Sequence, residues 1–405
     1  MSVTKEMMSV TEQATKAKKL SKRLSVLSTS EKDRLLNDIA DLLDSESETI
    51  LRGNDRDIGE ARYSFIDHLP IDQMTLRKEA ISVMADRFRR VAKMDDPTWK
   101  RGKEWDLERH HVEQLQVPVG VIALIGEQRP RVTVDAIALS IKTGNALLIG
   151  GLQSIRYTNG AIVELVQKAL QKNGLPSEAV QLLDEGNRST TQQLLASEDV
   201  IDLVIPGEGS VVEGVHGSTF PVLNTPKAHR HVYIDGDADS EKALHLLFES
   251  VANRTVDETA IDTLVLHKRW LTENKEALHK SVVENGINIQ ADYAASQIMP
   301  NLVGRHDSNQ PTLRIVVVQS VNEAMAYMEV HGAKHTEGIV TENKATAEKF
   351  KKLMDATAIY VNASPLPGNE LTKDVTLGLH TEKSPQRGPI SVTSLTTLKY
   401  IVTAK

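Results

Sequence analysis

Four short apolar runs set helix-sized distances apart, "VPVGVIALIG", "ALLIGG", "AVQLLDEG" and "IDLVIPGEG", constrain this chain more than any other feature. Their apolar residues are largely consecutive rather than alternating, which suits strands covered on both faces. Between the second and third runs, "NGAIVELVQKALQKNGLP" has a helical apolar stripe and closes on the stop signals Gly174 and Pro176. Alternating strands and helices predict a parallel sheet wrapped by helices. A second series runs through "HRHVYID", "IDTLVLHK", "RIVVVQS", "EGIVTEN" and "AIYVNAS", with "VNEAMAYMEVHG" and "KATAEKFKKLMD" as helices between them. It predicts a second α/β lobe.

The first hundred residues read as helical. Val10, Ala14, Ala17, Leu20, Leu24 and Leu27 recur at helical spacing, and Ser30 with Asp33 resembles the cap of a second helix carrying Leu35, Leu36, Ile39 and Leu43. "EWDLERHHVEQLQV" and "TSLTTLKYIVTA" alternate apolar and polar residues, as a small antiparallel flap or edge strands of the main sheets would.

At 405 residues the chain exceeds one ordinary core. A net charge of −7 with scattered basic residues argues against nucleic acid as a partner. The N-terminus does not read as a signal peptide, and no apolar run is long enough to span a membrane, so a cytoplasmic protein is expected. The chain contains no cysteine, which excludes disulfides, thiolate metal sites and thiol chemistry by its own side chains.

The order and spacing of "VPVGVIALIGEQRPRVTVD", "KTGNALLIGG", "NGLPSEAVQLLD", "DLVIPGEG", "HVYID", "HGAKHTEGIVT", "YVNAS" and "QRGPISVTSLTTLKY" resemble the γ-glutamyl phosphate reductases of the aldehyde dehydrogenase superfamily over nearly the whole chain. The resemblance implies an α/β fold with a Rossmann-like cofactor domain, a second α/β catalytic domain and a small β-flap for oligomerisation. It places the dinucleotide-binding-type domain at 1–103 and 119–227, the catalytic-type domain at 228–364, the flap at 104–118 and 385–405, and a return segment at 365–384. The implied activity is NADPH-dependent reduction of L-glutamyl 5-phosphate to glutamate 5-semialdehyde in proline biosynthesis, by a homodimer.

In that family a cysteine thiolate attacks the acyl phosphate, and hydride then reduces the thioester. Aligning "IDTLVLHK" with the strand after the nucleophile puts the cysteine position at Glu258, and a one-residue shift selects Asp257 or Thr259. None is a thiol, so the thioester route is closed. The turn Gly150-Gly151-Leu152-Gln153 lacks the family's arginine or lysine, and Glu208 would repel pyrophosphate. Weakened NADPH/NADP binding is therefore expected. "LNTPKAHR" and "PLPGNELTKDVTLGLH" also depart from the family pattern.

By resemblance, Arg254, Arg129 and Asn362 accompany Glu258 as catalytic-site residues, and Gly150, Gly151, Gly207, Gly209 and Ser210 contact the cofactor. Surface roles account equally for the two arginines, and tight strand-to-helix turns need glycine without any nucleotide. His331 and His335 are interrupted by Gly332 and lack an evident third ligand, so no metal is expected. His110 and His111 should face opposite sides of a strand. The reading that follows is a catalytically deficient homologue with a binding or regulatory role, its partner a pathway kinase or a true reductase. The alternatives are an active nicotinamide-dependent dehydrogenase of altered chemistry and an acyl phosphate hydrolase with Glu258 as base.

Overall fold

The computed structural model describes residues 9–63, 71–150, 154–183, 188–207, 221–225, 230–252, 261–300, 312–364 and 371–405. The chain divides into two compact units. Unit 1 is Met1–Thr225, Thr372–Gly378 and Pro389–Lys405, and unit 2 is Pro226–Leu371 and Leu379–Gly388.

Unit 1 opens with α1 (Val10–Leu24), α2 (Thr29–Ser45), α3 (Ser47–Tyr63), α4 (Ile71–Met74) and α5 (Lys78–Ala92). Val10, Ala14, Ala17 and Leu24 form the buried stripe of α1. Ser28, rather than Ser30, caps α2. Glu31 lies three residues after Ser28 and returns a carboxylate to the Ser28 N–H at 2.8 Å, completing a capping box that Ser30 could not make.

The chain continues through β1 (Arg101–Asp106), β2 (His110–Pro118), β3 (Val121–Ile125), α6 (Pro130–Lys142), β4 (Ala146–Gly150), α7 (Arg156–Lys172), β5 (Val180–Leu182), α8 (Arg188–Leu195) and β6 (Leu203–Pro206). Four strands form a parallel sheet in the order β5-β4-β3-β6. All of β3 is buried, which is why its sequence shows no alternation. Every residue of α6 except Arg131 is also buried. Gly174, with φ at 69°, takes the left-handed turn that ends the α7 segment.

Full burial of α6 brings Asp135 into the core, where Arg87 of α5 meets it. Arg87 Nε and Nη2 each donate to one Asp135 oxygen at 2.6 Å. Burial pushes the Asp135 carboxyl upward, and the Arg87 hydrogen bonds oppose that shift.

Unit 2 contains β7 (Arg230–Ile234), α9 (Ser240–Ala252), β8 (Thr263–His267), α10 (Lys268–Glu284), β9 (Asn288–Ala291), α11 (Tyr293–Ile298), β10 (Thr312–Val318), α12 (Val321–His331), β11 (Thr336–Val340), α13 (Lys344–Leu353) and β12 (Ala358–Val361). Six of its described strands form a parallel sheet in the order β12-β11-β7-β8-β10-β9. β9 was not evident from the sequence. It is a short edge strand and only half-apolar.

Besides a two-stranded pair of Leu379–His380 with Gly388–Pro389, a three-stranded sheet is present and belongs to unit 1. β13 (Thr396–Ala404) pairs antiparallel with β2, and β2 with β1, giving the order β1-β2-β13. The alternating segments therefore make a separate three-stranded sheet beginning at Arg101. Trp105, Leu398, Tyr400 and Val402 are exposed on it. Among the described residues no helix is long and apolar enough to cross a membrane.

Two consequences are measurable. Arg87→Ala leaves the Asp135 carboxylate buried without its fork and should cost unit 1 about 3–5 kcal/mol in urea unfolding, whereas Arg87→Met with Asp135→Leu should recover most of that loss. An equal loss in the double variant would contradict this account.

The second consequence lies in unit 2. Burial, reinforced by Arg230, pushes the His335 imidazole down to about 4. An unfolded imidazole titrates near ~6.5, so the unfolded chain takes up the proton first as pH falls. The His335 contribution is complete above that value and is lost as pH falls toward about 4. The stability difference between wild type and His335→Asn should shrink across this window. A pH-independent difference would refute the assignment.

Candidate functional site

A cleft of about 530 Å³ lies at the carboxyl ends of β3, β4 and β5 in unit 1. Parallel α/β sheets place ligands at this edge because strand ends and helix starts leave polar backbone groups there. Ile149, Gly150, Leu182 and Leu183 line its apolar side. At the neighbouring strand end, the Gly207 N–H donates to the Ile125 carbonyl at 2.7 Å. A Cβ on Gly207 would lie 2.6 Å from the Gly126 carbonyl oxygen, so the backbone itself requires glycine there. Gly150 is less constrained, since its added Cβ would meet a movable Leu183 methyl at 2.7 Å.

The opposite wall comes from α3 and the start of α7. Gly53 allows close approach, because a Cβ there would lie 2.6 Å from the Tyr157 carbonyl oxygen. One helical turn later, the Asp57 carboxylate accepts from the Tyr157 N–H at 3.0 Å and the Thr158 N–H at 2.7 Å. The Thr158 hydroxyl adds a third bond at 2.6 Å. Burial pushes the Asp57 carboxyl upward, and these donors oppose the shift.

This docking presents Arg52 and Arg56 to the cleft beside Arg156. The Arg56 guanidinium lies 3.6 Å above the Tyr157 ring centroid, and that of Arg156 lies 5.0 Å away. Glu127 and Glu164 are the acidic lining residues. Glu127 is already engaged: its carboxylate accepts from Arg129 Nε at 2.8 Å, Arg129 Nη2 at 3.1 Å and the Gln128 and Arg129 backbone N–H groups. The cleft is thus cationic around an aromatic ring. Cations absent from the turn after β4 come instead from α3 and α7.

Gly150, Gly207 and Arg129 therefore gather at one edge of the unit 1 sheet, with Arg129 at the cap position of α6 and its fork on Glu127. Asn362 belongs to unit 2. It has a positive φ of 52°, accepts from the Thr341 N–H at 2.8 Å and donates to the Thr341 carbonyl at 2.9 Å, bridging the ends of β11 and β12. Glu258, Arg254, Gly151, Gly209 and Ser210 lie outside the described residues, as do Asp257, Thr259 and Glu208. His331 ends α12 and stacks on Tyr327, with centroids 4.3 Å apart, whereas His335 lies beyond the helix. Arg52, Arg56, Asp57 and Arg156 were not anticipated. The i,i+4 arginines in "RGNDR" offered the available signal, but not the surface they face.

The aldehyde dehydrogenase family model matches residues 3–289. A Bacillus licheniformis protein named gamma-glutamyl phosphate reductase 2 is 37% identical, covering 97% of this chain and 96% of its own. A Bacillus cereus gamma-glutamyl phosphate reductase is 32% identical, covering 96% of each. The crystal structure of gamma-glutamyl phosphate reductase from Thermotoga maritima superposes with a TM-score of 0.88 at 27% identity, over 98% of this chain and 99% of that one. An acetylating aldehyde dehydrogenase from Geobacillus thermoglucosidasius shares the fold, with a TM-score of 0.71 at 17% identity over 97% of this chain and 96% of its own. The chain therefore belongs to the aldehyde dehydrogenase family, on the branch of the γ-glutamyl phosphate reductases, and has its α/β fold with parallel sheets.

Proposed function

We propose that this protein is a nucleotide-binding homologue of γ-glutamyl phosphate reductase that cannot follow the family's thioester route and acts by binding or regulation. The carrying observation is chemical: the chain contains no cysteine. A hydroxyl or carboxylate does not replace a thiolate in that route, because the acyl intermediate needs a strong nucleophile that is also a good leaving group. A carboxylate at position 258 would give a mixed anhydride exposed to water. Full-length kinship to proteins named as reductases favours the rival reading, an active dehydrogenase of altered chemistry.

The cleft supports retained binding of NADPH or NADP. When bound, the dinucleotide supplies or accepts hydride. Arg52, Arg56 and Arg156 match phosphate by charge and hydrogen-bond geometry, and Tyr157 offers a ring face. We also propose a homodimer in which a second copy covers the exposed apolar side chains on β1 and β13, with a reductase or kinase of the proline pathway as the partner of the assembly.

Purified protein should not reduce NADP when given glutamate semialdehyde and phosphate. Turnover at the level of an ordinary reductase, with contamination excluded, would overturn the deficient reading and favour the rival. Binding is tested separately through NADPH fluorescence. Arg52→Ala and Arg156→Ala should each weaken it by about 1 kcal/mol, with the loss reduced at high salt because these side chains are solvent-facing. Unchanged affinity in both variants would remove the cleft from the proposal.

A further inference from the structure

The three-stranded sheet holds a cluster unrelated to the cleft. Antiparallel pairing sets Glu104 of β1 opposite Glu113 of β2, and Asp106 opposite His111. Directly paired residues share a face, and residues two apart on one strand share it too. Glu104, Asp106, His111 and Glu113 therefore lie together on one side. Ligand atoms of Glu104, His111 and Glu113 all fall within 4.8 Å of one another.

The histidine distinguishes this group from an ordinary acidic patch. His111 Nδ1 lies 2.8 Å from Asp106 Oδ1, while His111 Nε2 lies 3.9 Å from Glu104 Oε2. With Nδ1 engaged by Asp106, Nε2 is the ring nitrogen that faces Glu104. This is the carboxylate–histidine arrangement that orients imidazole ligands in metal sites. Nearby cations are engaged in the same network: Arg101 Nη1 is 3.4 Å from Glu113 Oε1, and Lys405 Nζ is 3.2 Å from Asp106 Oδ2. Arg101 partly neutralises Glu113, and a metal ion would replace that contact.

We propose that Glu104, His111 and Glu113 form a site for a divalent transition ion of the zinc class, with Asp106 as the positioning carboxylate. One imidazole nitrogen and two carboxylates suit zinc, with water completing the coordination. Ligand atoms around tetrahedral zinc stand about 3.3 Å apart, so these side chains close by rotation at the sheet surface. Bound metal would clamp β1, exposed along its whole length, to β2 beside the turn where the Leu107 N–H donates to the His110 carbonyl at 2.8 Å. No local sequence spacing marks this site, because its ligands combine only through strand register.

Calorimetric titration of the chelator-treated, full-length protein with zinc chloride tests the proposal. One saturable site per chain is expected, and His111→Ala should weaken it roughly tenfold or more. Glu104→Gln with the isosteric Glu113→Gln should have a comparable effect, while His110→Ala, on the other face, should leave affinity unchanged. Cobalt substitution supplies a second readout, a visible absorption band present in wild type and lost in His111→Ala. Unaltered affinity and an unaltered cobalt band in His111→Ala would overturn the site, and so would the absence of saturable binding by the wild-type protein. The latter result would identify the cluster as a network of ion pairs and hydrogen bonds only.

Discussion

The Asp57 carboxylate controls the cleft by capturing the first N–H groups of α7. Hydrogen bonds to a charged acceptor contribute about 1.5–3 kcal/mol each when formed, and an unpaired buried carboxylate would cost more. The capture fixes α3 against α7, and Gly53 removes the side chain that would hold them apart. It also changes what the helix start offers. An open N-terminus attracts anions through its N–H groups, but here Asp57 occupies two of them, leaving the cleft's attraction for anions to Arg52, Arg56 and Arg156.

The scaffold rests on packing rather than on catalytic side chains. The parallel sheets depend on buried strands such as β3 and on α6, whose charged Asp135 is matched by Arg87. None of those interactions needs a nucleophile. The scaffold of an aldehyde dehydrogenase-type chain therefore does not depend energetically on which side chain stands at the nucleophile position. The cleft needs close backbone approaches at Gly207 and Gly53, and these are present.

What the sequence disclosed follows the same division. β3 and β4 were legible because burial on both faces leaves consecutive apolar residues, and the end of α7 was legible because Gly174 serves a left-handed turn. β9 was missed because a short, half-buried edge strand has weak periodicity. The spacing of Ser30 to Asp33 points to a cap at Ser30, whereas Glu31 makes the reciprocal bond that places it at Ser28. The sequence leaves Arg129 open between anion binding and a salt bridge, and in the structure Glu127, only two residues away, holds its fork. The arginines of α3 enter the cleft through a contact between helices about a hundred residues apart, and no local pattern encodes that contact.

Hydrogen exchange with and without NADPH, on a sample also assayed for turnover, tests the central claim that the cleft outlasts the family chemistry. The account predicts slower exchange in the segments around Arg52–Asp57, Ile149–Gly150 and Arg156–Gly160, with no reductase turnover in the same preparation. NADPH that leaves these segments unprotected while the protein turns over would contradict it.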